Sequence, residues 1–129
     1  MKRVLPYLPA LCCSALIPLL SLINPGKLPD TSALHFAGMD KIAHLLMYAV
    51  LTALWLYPIS RTKRLQLRFI LGIALVAGLY GALMEVCQLL LTDSRSMDPL
   101  DATANLAGAL IVAAGFYFYA TSIPKDAGV

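Results

Sequence analysis

Charge is what this sequence has least of: Asp, Glu, Lys and Arg make up 13% of its 129 residues, against about 25% in a soluble domain. Water is therefore not its main solvent. No polar stretch is long enough for a separate soluble domain, since the longest gap between apolar runs, 24–41, falls well short of the roughly 50 residues a domain needs. The three cysteines, Cys12, Cys13 and Cys87, lack the spacing of a metal site or a disulfide framework and read as small apolar packing residues. Cys12 follows Ala10-Leu11, which does not suit lipoprotein attachment. There is no Gly-rich phosphate loop, no basic-aromatic stripe and no internal repeat, so no nucleic-acid partner is expected.

Apolar residues fill the space that charge leaves. They make up 60% of the chain, with a mean hydropathy of +0.77, and they fall into runs near the roughly 20 residues that a bilayer-spanning helix needs. Four spans are read, over about 4–23, 42–59, 69–91 and 100–121. The expected fold is all-α, an integral membrane bundle of four transmembrane helices forming one domain over 1–129. The first run follows Met1-Lys2-Arg3, as an export signal would. It is longer than a signal core, carries Pro6, Pro9 and Pro18 and has no A-x-A-like site near its end, so it is read as a retained helix.

Positive residues sort by loop, and their excess marks the cytoplasmic side. Lys2, Arg3, Arg61, Lys63, Arg64, Arg68 and Lys125 fall on one side of the expected spans. Only Lys27, Lys41 and Arg95 fall on the other, among Asp30, Asp40, Asp93, Asp98 and Asp101. Both termini are thus expected in the cytoplasm, in a multi-pass protein of the cytoplasmic (inner) membrane, and the net charge of +3 reflects topology.

Three polar stripes then descend from the outer side. Lys41, His44 and Tyr48 follow the i, i+3, i+7 spacing of one helix face. Gly78, Gly81, Glu85 and Gln88 share a face of the third span, with Glu85 about 9 Å from its outer end at 1.5 Å per residue. Asp98 and Asp101 open the fourth span, and Asn105 and Gly108 continue the face of Asp101. Arg95 stands in the short turn between the third and fourth spans and is a candidate to hold an anion, guanidinium being suited to phosphate or carboxylate.

Plainer explanations compete residue by residue. Asp98-Pro99-Leu100-Asp101 is what a helix start looks like, with Asp at the N-cap and Pro at the first position, and Asp40 is expected to cap the second helix in the same way. His44 could be a satisfied interior histidine, Tyr48 an interfacial aromatic and Arg95 a solvated loop charge. The glycines are expected to let helices approach closely. Glu85 with Gln88 has the weakest packing explanation, because a charge at helix centre costs about 2.5–3.5 kcal/mol on insertion scales.

The ordered string Asp40-Lys41-x-x-His44-x-x-x-Tyr48, Glu85-x-x-Gln88 and Arg95-x-x-Asp98-x-x-Asp101-x-x-x-Asn105-x-x-Gly108 resembles the VanZ-like membrane protein family. The likeness spans residues 40–108, three of the four helices. It implies a small bacterial membrane protein of the cell envelope; the family is named for a member associated with resistance to the glycopeptide teicoplanin. It implies no known reaction. Met97 stands where family members often carry a smaller residue such as Gly, so the turn there is expected to differ locally.

The function expected from these residues is binding or processing of an envelope-lipid or cell-wall-precursor head group, with a possible link to glycopeptide resistance. The binding set is Lys41, His44, Tyr48, Glu85, Gln88, Arg95, Asp98, Asp101 and Asn105. His44 and Glu85 are the candidate acid and base should chemistry occur, but no nucleophile signature marks an enzyme. A structural or partner-binding subunit is one alternative. A metal-dependent enzyme using Glu85, Asp98, Asp101 and His44 is another, although without an H-E-x-x-H or similar signature no metal ligand and no cofactor is assigned. A proton or solute pathway is disfavoured because the polar groups stop at one end. The expected partners are the bilayer and a lipid-linked or polar envelope ligand.

Overall fold

The computed structural model describes residues 4–22, 38–61, 65–92 and 97–122. They form four long helices: α1 (Leu8–Leu22), α2 (Met39–Ser60), α3 (Leu67–Leu91) and α4 (Pro99–Ser122), with a single 3-10 turn (Leu5–Tyr7) leading into α1. No strand occurs among the described residues. Each helix, α1 taken together with its leading turn, is long and apolar enough to cross a membrane, as expected of a multi-pass membrane protein.

The helices overrun the apolar runs by a few residues at several ends, because backbone hydrogen bonding continues into a zone where polar side chains are tolerated. Thus α2 takes in Asp40 and Lys41, and α3 takes in Leu67 and Arg68. The start of α2 corrects the expectation for Asp40. Gly38 is the N-cap, in the left-handed region at φ 91°, and Asp40 lies in the first turn without capping. Its charge still sits favourably at the positive end of the helix dipole. Asp98 does cap α4: its Oδ1 accepts from Leu100 N–H at 2.9 Å.

Lipid tails are as apolar as leucine, so hydrophobicity does not drive such helices together; close packing through small residues does. The buried faces fit this. Ala74, Ala77, Gly78 and Gly81 of α3 and Gly108, Ala109 and Ala113 of α4 are buried, while Leu75, Val76, Leu79, Leu83 and Leu90 face outward. The closest approach is at Gly108. A Cβ there would collide with the Leu45 carbonyl oxygen and lie 3.2 Å from Ala49 N, so α4 rests directly on the α2 backbone. At Gly81 a Cβ would lie 2.7 Å from Asn105 Cβ; its absence makes room for that side chain. Among the described helices the α2–α4 interface is the most extensive and α3 packs next on α4, while α1 packs on α2 and α3 and not on α4.

Three side-chain hydrogen bonds fasten α1 to its neighbours among the described residues. Trp55 Nε1 of α2 approaches Ser14 Oγ at 3.4 Å, and another begins with proline. Pro18 lies inside α1 and has no N–H, which deprives the Ser14 carbonyl of its helical donor. Tyr80 of α3 supplies the replacement, its hydroxyl donating to Ser14 O at 2.7 Å. Ser21 O lies in the last turn of α1, where carbonyls have no helical donor, and Gln88 Nε2 of α3 donates to it at 3.1 Å. Inside a bilayer, freed carbonyls need such donors.

Candidate functional site

The helices α2 and α4 begin, and α3 ends, at the same end of the bundle, and here the polar faces meet. At 1.5 Å per residue, His44 lies about 7.5 Å inside the start of α2, Glu85 about 9 Å inside the end of α3 and Asn105 about 9 Å inside the start of α4. The similar depths expected of the stripes are present, and the side chains touch. His44 Nδ1 is 3.0 Å from Asn105 Oδ1 and 3.6 Å from Glu85 Oε1, and His44 Nε2 is 3.9 Å from Asp101 Oδ2.

Nearer the bundle end, Lys41 Nζ reaches Asp98 Oδ2 at 2.8 Å and Asp101 Oδ1 at 3.2 Å. Lys41 hydrogen-bonded to its carboxylate, helped by Leu100 N–H, holds the Asp98 carboxyl below its ordinary range. The sign follows from a lowered folded-state value: the stabilisation is present above the ordinary carboxylate range and is lost as the pH falls through the lowered one. Asp98 is thus both cap and ion-pair partner, so the two explanations of this residue coexist.

Glu85 is the least satisfied member. Its residue is 0% exposed; among the described residues Oε1 has no hydrogen-bond partner and Oε2 has only a long approach of 3.5 Å from Asp98 N–H. The 3.6 Å to His44 is an ion pair if the imidazole is protonated, but it is too long for a good hydrogen bond. Tyr48 Oη and Asn105 Nδ2 are likewise buried without a hydrogen-bond partner among the described residues. Unpaired buried polar atoms are uncommon, and each calls for an explanation. Three of them occur on three helices that face one another.

One expected member lies elsewhere. Gln88 directs its amide nitrogen to Ser21 of α1, which makes it a fastening for the first helix. Arg95, with its expected anion-holding role, lies outside the described residues. Counting Glu85, Asp98 and Asp101 against Lys41, with His44 neutral, the described cluster is net negative by two charges. A free anion is therefore a poor fit to the described residues. Cations, donors, or an anion carrying its own cation fit better.

A cavity of about 550 Å³ lies between α1, α2 and α3, lined by Ser14, Leu51, Trp55, Phe69, Ile73 and Tyr80 among others. Its lining is mostly apolar and it includes no member of the cluster, so it suits hydrocarbon rather than polar chemistry. Tyr80 and Ser14 are residues that pattern reading overlooked; the available signal was Pro18, four residues after Ser14. No protein-family model matches the chain, and neither a curated protein nor a solved structure does so.

Proposed function

We propose that the cluster of Lys41, His44, Glu85, Asp98, Asp101 and Asn105 faces the outside of a bacterial cytoplasmic membrane, in a VanZ-like protein whose termini lie in the cytoplasm. There it binds the polar head group of an envelope lipid or lipid-linked cell-wall precursor. The observation that carries the reading is Glu85: a fully buried carboxylate with one oxygen unpartnered among the described residues, at a depth where packing alone gives no reason for a charge. A head group reaching about 9 Å below the helix ends would meet Glu85, His44 and Asn105 together, with Lys41 above them. Hydroxyls or an ammonium group on that ligand would donate to Glu85 Oε1. His44 and Glu85 are also the pair that would carry any proton transfer.

The test is a titration of purified protein with a panel of envelope lipids and lipid-linked precursors, read against Glu85→Gln. The expected outcome is saturable binding of one head-group class that weakens by roughly 10-fold or more in the variant, the loss of one charge-assisted hydrogen bond of about 1.5–3 kcal/mol. No lipid binding wild type better than Glu85→Gln would refute it.

A structural role is the second reading, and the Lys41 bridges favour it, since they tie α2 to α4 without any ligand. On that reading Glu85→Gln and His44→Ala lower folded yield in proportion to any loss of function.

A further inference from the structure

The geometry points to a divalent transition-metal site formed by His44, Glu85 and Asp101, of the Zn2+ class. One donor atom from each of the three lies within 4.8 Å of the other two. Around an ion bound at about 2.0–2.2 Å, donors stand about 3.4 Å apart in a tetrahedron, so a modest contraction of side chains would bring all three donors onto the ion and leave a fourth position open. An imidazole with two carboxylates is a borderline donor set, which favours a transition ion over Mg2+ or Ca2+.

Three independent features agree with an ion. Glu85 Oε1 is buried and, among the described residues, without a hydrogen-bond partner, which is the state of a ligand oxygen awaiting a cation. When His44 Nδ1 carries the ring proton it donates to Asn105 Oδ1 at 3.0 Å, and Nε2, on the Asp101 side, keeps its lone pair. This is how outer-shell partners orient metal-binding histidines. The excess of negative charge over Lys41 also leaves room for a dication. Lys41, bound to Asp101 Oδ1 at 3.2 Å, holds that carboxylate with its other oxygen toward His44.

The ion needs no lipid. A consequence that does rest on the head-group reading is that the bound ion would present open positions to a phosphate oxygen, turning an acidic cluster into one that accepts a phosphorylated head group.

Full-length protein in detergent, stripped with EDTA and free of added lipid, is titrated with ZnCl2 by calorimetry. The expected result is one Zn2+ per chain. Glu85→Gln and Asp101→Asn each weaken binding by at least the ~10-fold that loss of even an outer-shell partner costs. Asp40→Asn, exposed on α2 outside the cluster, keeps wild-type affinity. X-ray absorption at the zinc edge of the wild type provides a readout that stands even if a variant does not fold, with nitrogen and oxygen neighbours at about 2.0–2.2 Å expected. Absence of saturable binding, unchanged affinity in Glu85→Gln, or a sulfur shell near ~2.3 Å from Cys12, Cys13 or Cys87 would overturn the site. A second arm adds a phosphate-bearing lipid with and without zinc. A zinc-dependent gain in lipid affinity supports the bridge, whereas zinc binding without that gain overturns the bridge and leaves the ion site standing.

Discussion

Tyr80 shows how a single polar atom can be accounted for in lipid. Its hydroxyl replaces the N–H that Pro18 lacks, at the Ser14 carbonyl, and it takes no part in the polar cluster at the bundle end. Tyr80→Phe is expected to destabilise the bundle by about 0.6 kcal/mol, up to ~1.7, the range measured for polar contacts between membrane helices. Pro18→Ala restores a donor to Ser14 O within α1, so in that background Tyr80→Phe should cost less. A double-mutant cycle of unfolding free energies in detergent measures the difference, and equal costs in both backgrounds would count against the pairing. Glu85 is the opposite case: none of the described residues supplies a hydrogen bond to its Oε1, which is why a ligand is proposed there.

At the scale of helices, glycine decides how near α4 comes to α2. Gly108→Ala puts a methyl group into the Leu45 carbonyl, and neither backbone can move aside cheaply. The expected cost is about 1–3 kcal/mol, the usual penalty of overpacking, together with loss of the contacts that bring Asp101 and Asn105 to His44. Gly72→Ala, on α3, meets nothing within 4 Å and should be neutral or stabilising by up to ~1 kcal/mol, since alanine restricts the unfolded chain. Comparing the thermal stability of both variants checks this; equal losses would contradict the assigned helix contact.

The elements also show what sequence could convey. Four spans were legible because length and hydropathy alone mark a membrane helix. The faces of residues 41, 44, 85, 101 and 105 were legible because helical spacing places them. Two details were not. Asp40 looked like a cap, but the positive φ of Gly38 moved the helix start two residues earlier. Gln88 shares a stripe with Glu85, yet it turns to Ser21 because that carbonyl lacks a helical donor, and no periodicity within α3 encodes the register of α1 beside it.

For the molecule as a whole, the interhelical ion pairs among the described residues gather at one end of the bundle, while Arg61 and Arg68 stand at the other. The Lys41 bridges and the Gly108 contact belong to one α2–α4 unit, against which α3 sets Glu85; α1 is fastened to α3 through its Ser14 and Ser21 carbonyls and lies outside the cluster. Function therefore should reside in the cluster and tolerate changes at the α1 fastenings. The most direct test is complementation of a deletion strain under envelope stress and glycopeptide challenge, with membrane levels of each variant quantified. In the condition where wild type restores growth, Glu85→Gln and His44→Ala should fail at normal abundance while Tyr80→Phe succeeds. Full growth with both cluster variants would contradict a functional site there and leave the polar residues as helix-packing contacts.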